Sequence, residues 1–410
     1  MHNSDEVVPY RALLRLPGAM RAFAASSLCR LSYSTVGLAQ LYVIERATGS
    51  FGVAGLASAA FGVCALSAPL KSRLVDRYGQ RRLIAVLGAA YGASLLALAV
   101  LAIADVRNGV IYVTVAGLAG LLAPPLGPAM RAVWATLSEG VATRQRVYSF
   151  DLAVEDTLFT VGPLVVGGLV VLHGPTLAVV VTAGLMLVGS QSLARSPAVK
   201  AHDERAPTWQ KGPRSGPLRS PGFAVLVGIV LVLSSGCGVV DVAVAARALR
   251  AGTPAAAGYV LAALALGSVI GGQLWARRAR AGTISTQLAV LSVVLIVSLA
   301  GAAEAPDLAV LAVVLAVFGA ALTPVLIVAY VAADRLVPRA GRTEASTWVN
   351  TAFNAGNALG LAVAGLAVDR DGPTGSFFLG TAVAVIALIV IVTLGRRLDR
   401  SLSHQASSPD

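Results

Sequence analysis

The chain has 410 residues, of which 56% are hydrophobic and only 13% are charged, and its formal net charge is +12. Its mean hydropathy is +0.77. Soluble domains carry about 25% charged residues, so this composition excludes a soluble protein and indicates an integral membrane protein. Backbone groups in lipid must satisfy their hydrogen bonds internally, and we therefore expect an all-α fold.

Twelve apolar segments are each about as long as the ~20 residues that a membrane-spanning helix needs. A polar stretch with five prolines divides them into two sets of six and predicts a solvated linker. The expected domains are an N-terminal bundle (1–194), a cytoplasmic linker (195–221) and a C-terminal bundle with a cytoplasmic tail (222–410). The expected helices are 19–44, 51–71, 83–104, 109–131, 150–172, 175–194, 222–247, 254–275, 284–303, 307–331, 345–368 and 375–395.

The basic residues are distributed unevenly between the two sides of this topology. With the N-terminus inside, 26 lysines and arginines fall on the inner side and 5 on the outer side, while Arg30 lies within a helix. This bias predicts cytoplasmic termini in the cell membrane. The net charge is then a topology signal that also attracts anionic lipid, and it gives no reason to expect nucleic acid binding.

Cysteine and histidine do not suggest a cofactor or metal site. Cys29, Cys64 and Cys237 all fall in predicted helices, where they are expected to pack as small apolar residues. The four histidines lie in tails or loops. We expect no cofactor, no metal and no disulfide framework.

The two halves of the chain align weakly with each other. Pro17-Gly18 matches Pro221-Gly222 at an offset of 204, and Gly162 matches Gly356 at an offset of 194. The order of these matches predicts a duplication of six helices. An even number of helices in each repeat gives parallel halves related by an axis along the membrane normal.

The predicted loop between helices 2 and 3 contains Asp76-Arg77-Tyr78-Gly79-Gln80-Arg81. With the twelve helices, it resembles the loop signature of the major facilitator superfamily, Gly-x-x-x-Asp-Arg-x-Gly-Arg-Arg/Lys, although Ser72 and Gln80 depart from it. An ordinary positive-inside loop would need the arginines but neither Asp76 nor Gly79. The resemblance implies a conformational latch made by Asp76, Arg77, Gly79 and Arg81, in which Asp76 docks against the start of helix 11.

Helix 5 carries Gly162-Pro163 followed by Gly167-Gly168, which is similar to the antiporter motif of drug–proton exchangers. Val166 stands in place of the motif's first closing glycine. The resemblance implies export. The alternative is helix packing, since glycine and proline are common in membrane helices.

Ionisable residues at membrane depth are costly and suggest function. Arg30 shares a helix face with Tyr33 and Gln40, which suits either a substrate-cavity wall or a salt bridge hidden within the N-terminal half. Glu155 and Asp156 lie near the inner end of helix 5, where Arg131 can reach them. They are candidates for proton coupling, or for a structural salt bridge with Arg131.

Two further groups of polar residues lie in the C-terminal half. Asp241 in helix 7 is either a proton or cation site or an ion-pair partner of Arg247 or of an outer-loop residue. Helix 11 places Asn350, Asn354 and Asn357 on one face beside Trp348. These side chains are candidates for substrate binding, or for hydrogen bonds between helices.

These features predict a secondary transporter that works by alternating access and couples export of a small amphipathic compound, such as a drug or secondary metabolite, to protons. The expected partners are that substrate, protons and the lipid bilayer, and we expect a monomer. The alternative is an uptake symporter or facilitator for a small polar metabolite. An integral-membrane enzyme or receptor would need a catalytic cluster or a sizeable soluble domain, and the sequence shows neither.

The charge bias gives a first test. Single cysteines introduced between 195 and 220, in a background without native cysteines, should resist a membrane-impermeant maleimide in intact cells and react after permeabilisation. The physical reason is that the positive-inside rule holds this segment in the cytoplasm. Ready labelling from outside would contradict the topology.

Overall fold

The computed structural model describes residues 18–137, 141–205, 221–276, 282–336 and 342–406, and within these ranges the regular structure is entirely helical. The N-terminal half contains α1 Ala19–Thr48, α2 Phe51–Ala65, α3 Ala68–Tyr78, α4 Gln80–Ile103, α5 Gly109–Leu122, α6 Leu126–Leu137, α7 Val141–His173, α8 Pro175–Ala194 and α9 Pro197–Arg205. The C-terminal half contains α10 Pro221–Arg250, α11 Ala256–Ala276, α12 Ile284–Glu304, α13 Leu308–Leu336 and α14 Arg342–Ala406.

These helices form twelve membrane crossings in two bundles of six, so the predicted all-α membrane fold is confirmed. Among the described residues, eight helices are individually long and apolar enough to span a bilayer. The last of them contains two crossings, because α14 is interrupted by non-helical backbone at Gly372 (φ 78°) just before Pro373. Glycine adopts this left-handed conformation without the steric cost of a Cβ atom.

Two crossings that the sequence predicts as continuous helices are divided. The expected helix 109–131 breaks between α5 and α6 at Ala123-Pro124-Pro125, because proline lacks the amide that a continuing helix requires. The expected helix 51–71 breaks between α2 and α3, where Pro69 stands near the start of α3. Two consecutive prolines therefore end a helix that the sequence predicts as continuous.

The segment predicted as a solvated linker begins with an ordered helix. Within α9, Val199 is fully buried, and the Thr136 hydroxyl lies 2.7 Å from Nδ1 of His202. Asp203 accepts hydrogen bonds from the amides of Gln80 and Arg81 at 2.9 Å each and so caps α4. Residues 197–205 therefore pack on the N-terminal half, and 206–220 lie outside the described residues.

The same helix pairs pack in both halves, as the internal repeat predicts. In the first half α1 contacts α8, α4 contacts α8 and α2 contacts α5; in the second, α10 and α12 contact α14, and α11 contacts α13. Asp399 accepts from the Ser285 amide at the start of α12, just as Asp203 does for α4. Left-handed glycines recur at matching turns: Gly49 with Gly252, Gly79 with Gly282, and Gly174 with Gly372.

We call the end of the bundle that contains residues 18, 194 and 221 the linker end, and the opposite end the far end. The two halves contact each other mainly through α2 with α14 and α7 with α11. At the far end α2 and α14 are so close that a Cβ on Gly55 would lie 2.4 Å from the carbonyl oxygen of Leu361. On the same α14 face toward the linker end, Asn350 and Asn354 are exposed. The halves therefore touch at the far end and diverge toward the linker end.

Small residues bring α10 and α14 into contact inside the C-terminal half. A Cβ on Gly360 would lie 2.0 Å from the carbonyl oxygen of Ser235, and one on Gly238 would lie 2.2 Å from that of Asn357. Membrane helices associate by such close backbone approach, because lipid offers no hydrophobic drive between them.

Gly238→Ala should therefore destabilise the protein by about 1–3 kcal/mol, because the new methyl group overpacks the α10–α14 contact. Gly228→Ala is the matched control, since Gly228 is on the same helix and a Cβ added there would have nothing within 4 Å. The control should be neutral or slightly stabilising, because alanine favours helices by about 1 kcal/mol over glycine. Thermal unfolding of the purified protein in detergent measures both changes, and equal melting temperatures for the two variants would contradict this packing.

Candidate functional site: a buried ion-pair cluster

The most deeply buried charges of the N-terminal half form one ion pair between α1 and α7. Arg30 donates from its two terminal nitrogens to the two carboxylate oxygens of Asp151, at 2.9 and 2.8 Å. The exposed fractions of these side chains are 2% and 1%. This two-point geometry is the strongest form of an arginine–carboxylate contact, and it fixes both the distance and the rotation between the helices.

Neighbouring groups complete the shell of this pair. The indole nitrogen of Trp134, on α6, donates to Asp151 at 3.3 Å. Trp134 is itself buried and packs against the ring of Phe23 with centroids 5.9 Å apart. Three helices of the N-terminal half therefore meet at the Asp151 carboxylate.

Glu155 is the accessible member of the same cluster. It follows Asp151 by one helical turn, and its carboxylate lies 3.8 Å from Arg30. Its side chain is 29% exposed, against 1% for Asp151. One arginine thus faces two carboxylates, one sealed in the protein and one on a partly exposed side chain.

The α1 residues predicted to line a cavity instead make contacts inside the N-terminal half. Arg30 forms the hidden salt bridge of the alternative interpretation. Gln40 is 1% exposed and donates to the Ser58 hydroxyl at 3.1 Å. The Tyr33 hydroxyl donates to the Pro124 carbonyl at 2.5 Å, in the break between α5 and α6. All three side chains hold the N-terminal half together, because polar atoms inside a membrane bundle need partners.

Of the expected coupling residues, Glu155 contacts Arg30, and the guanidinium of Arg131 lies beside Gly127, one turn earlier on α6. The Asp156 side chain lies outside the described part of the structure. The partner that sequence reasoning missed is Asp151, although an arginine inside a membrane helix signals that a buried acid must be found for it.

Asp241 stands apart from this cluster, on α10 of the other half. The Arg247 guanidinium donates to the carbonyls of Ala302 and Ala305, so the alternative Asp241–Arg247 pair is not formed. Asp241 is half-buried, and it has no hydrogen bond or ion pair with another described residue. It is a second carboxylate at membrane depth.

The latch loop is described only in part. Gly79 has φ 87° and separates α3 from α4, which is the turn expected of it. Arg81 begins α4 with its amide capped by Asp203, and Arg77 is exposed with its guanidinium over the adjacent Tyr78 ring. The Asp76 side chain, and the side chains that begin α14, lie outside the described residues, and the predicted docking remains a prediction.

The α14 candidates and the α7 motif lie at the boundary between the halves. Trp348 is half-buried, and Asn350 and Asn354 are exposed where the halves diverge. On α7, the carbonyl oxygen of Pro163 lies so near α11 that a Cβ on Gly258 would be 2.5 Å from it. Gly167 similarly meets Ala255, just before α11, while Gly162 meets Ser34 of α1.

Comparison with known proteins places this arrangement in a family. The model of the Major Facilitator Superfamily matches residues 22–302, which is more than half of the chain. The chain belongs to the major facilitator superfamily. It is a multi-pass membrane transporter and not an enzyme. No match was found among curated proteins.

Solved structures share the fold over nearly their whole length. The nucleoside transporter NupG covers 95% of this chain and 99% of its own, with a TM-score of 0.70 and 14% identity. A peptide transporter POT in complex with sulfate covers 94% and 95%, with a TM-score of 0.67 and 17% identity. At these identities the likeness concerns the fold alone.

Removing one partner of the buried pair should strongly destabilise the protein. Asp151→Asn leaves the Arg30 charge uncompensated in a dry site, and we expect a loss of about 3–5 kcal/mol in stability. Asp105→Asn is the control, because the Asp105–Arg107 pair is 75% and 77% exposed and such pairs contribute roughly 0–1 kcal/mol. Thermal unfolding in detergent compares the two, and an Asp151→Asn protein as stable as the control would show that the pair is not structural.

Proposed function

We propose that the protein couples proton movement to the export of a small amphipathic compound across the cell membrane, and that Glu155 is the proton-binding acid. The observation that carries this proposal is the sharing of Arg30 between Asp151 and Glu155.

The charge balance of the three groups assigns the proton to Glu155. With both acids ionised the cluster carries a net charge of −1, and protonation of Glu155 makes it neutral while leaving the Arg30–Asp151 pair intact. Protonation of Asp151 would instead break two charge-assisted hydrogen bonds at 2.8 and 2.9 Å. Glu155 is therefore the acid that can exchange a proton at the lower cost.

The position of the cluster also favours this role. Arg30 lies about 16 Å along α1 from its linker end, at about 1.5 Å per residue. The cluster is therefore on the side where the halves diverge, and Glu155 is its partly exposed member. If the linker end is cytoplasmic, as the basic residues predict, Glu155 exchanges protons with the cytoplasm in this conformation.

The direction and the substrate rest on separate observations. Pro163 of the α7 motif, which resembles that of exporters, lies at the contact with α11 and so at a surface that must move during transport. The exposed amides of Asn350 and Asn354 favour the second candidate, a small polar solute. The structural neighbours are named as a nucleoside transporter and a peptide transporter, and the solutes in those names are small and polar like that of the second candidate.

Proteoliposomes that enclose a pH-sensitive dye test the coupling. Ethidium, uridine and dialanine represent a cationic amphipath, a nucleoside and a peptide, and the active probe should drive a measurable proton flux. Glu155→Gln should abolish gradient-driven accumulation of that probe while energy-independent exchange continues, because the ion pair and the substrate contacts survive.

Glu304→Gln is the matched control, since Glu304 is an exposed acid at the far end of α12. It should leave coupled transport unchanged. If Glu155→Gln still accumulates the probe with the wild-type pH dependence, the coupling site lies elsewhere, and Asp241→Asn becomes the next variant to measure.

A further inference from the structure

The two halves are joined at the far end by one carboxylate that crosses between them. Asp369, on α14, accepts hydrogen bonds from the backbone amides of Phe51 and Gly52 at 2.9 and 2.8 Å. It also accepts from the Ser50 hydroxyl at 2.6 Å. These are the first amides of α2, so an acid of the C-terminal half caps a helix of the N-terminal half.

Two glycines beside this carboxylate leave the space that it needs to reach the start of α2. A Cβ on Gly52 would lie 2.7 Å from Oδ2 of Asp369. One on Gly365, a turn earlier on α14, would lie 2.4 Å from the carbonyl oxygen of Phe51. A negative charge at a helix N-terminus is stabilised by the unpaired amides and by the helix dipole.

The contact can open without unfolding α2. The Ser50 hydroxyl also accepts from the amide of Val53 at 3.1 Å, so α2 carries its own N-terminal cap. When Asp369 leaves, water can replace it at the two remaining amides. The structure thus has a polar contact that is strong while the halves touch and reversible when they part.

We propose that this far-end clasp, formed by Asp369 with Ser50, Phe51 and Gly52, holds the far end closed in the conformation open toward the linker end. Opening of the far end must break it, so the clasp sets the balance between the two conformations. The proposal rests on alternating access as the mode of transport, but it is independent of which acid carries the proton.

Two variants weaken the clasp by different routes. Asp369→Asn removes its charge. Glu45 of α1 interacts electrostatically with Asp369, so this variant also relieves a repulsion. Gly52→Ala keeps every charge, and its new methyl group pushes the Asp369 carboxylate away. Gly52 has ordinary helical backbone angles, so alanine is tolerated there. Agreement between the two variants therefore assigns the effect to the contact itself.

Asp307→Asn is the matched control. Asp307 likewise accepts from two backbone amides, those of Ala309 and Val310, at 2.9 Å each. It lies at the same end of the molecule, but it caps α13 within its own half. Its loss changes a helix cap without touching the contact between halves.

The measurement is the distance between spin labels in the full-length protein, reconstituted in lipid nanodiscs without substrate or proton gradient. The labels are placed at Arg107→Cys and Ala251→Cys for the far end, and at Arg82→Cys and Arg335→Cys for the linker end, after replacement of the three native cysteines by alanine. All four positions are exposed.

Asp369→Asn and Gly52→Ala should raise the ratio of far-end-open to far-end-closed molecules by about tenfold, as expected for loss of a charge-assisted contact, and should shorten the linker-end distance. Asp307→Asn should leave both distributions unchanged. Unchanged distributions in the folded Asp369 and Gly52 variants would overturn the proposal, as would an equal shift in the control or a failure of both variants to fold. Because no substrate or gradient is present, this result stands or falls separately from the Glu155 experiment.

Discussion

A charge placed where there is no water must be neutralised by the protein itself, and most of the N-terminal half follows from that constraint. Arg30 lies within the first membrane crossing and is almost fully buried. Its two-point contact with Asp151 joins α1 to α7, and Trp134 ties α6 to the same carboxylate. Replacing such a pair by apolar side chains is often neutral in stability, so its presence favours a role beyond packing.

That role depends on the asymmetry between the two acids. Asp151 is committed to the arginine, whereas Glu155 is held near it and remains partly exposed. A transporter needs one group that keeps its charge and its geometry through the cycle, and another whose charge changes as water reaches it. In the proposed mechanism the cluster assigns these two roles to residues one helical turn apart.

The far end shows how close backbone contacts and a polar contact hold the two halves together. Glycines on α2, α7, α11 and α14 let backbones touch directly, and the Asp369 clasp adds a polar contact at the tip. Backbone contacts of this kind have little flexibility, so they favour a closed or an open end over intermediate positions. Because the same helices touch at the far end, they separate toward the linker end.

The sequence alone determined the class of the protein. Apolar length, the basic asymmetry, the repeat and the Asp76–Gly79 core of the loop signature are local properties, and they are sufficient for twelve helices and for the family. The prolines at 124 and 125 are also visible in the sequence, and they mark the point where the expected helix 109–131 breaks.

Which charges meet was decided only by the tertiary structure. Arg30 and Asp151 are 121 residues apart, and Asp369 lies 318 residues from Phe51. A helix pattern gives the face on which a residue lies but not the helix that this face meets. For that reason the sequence is compatible with Arg30 either in a cavity wall or in a salt bridge, and it indicates Arg131 as a partner for Glu155. For Asp369 it shows only an acid at a helix end. Packing of helices distant in the sequence selects among these possibilities, because the contacts that satisfy a buried charge lie on other helices.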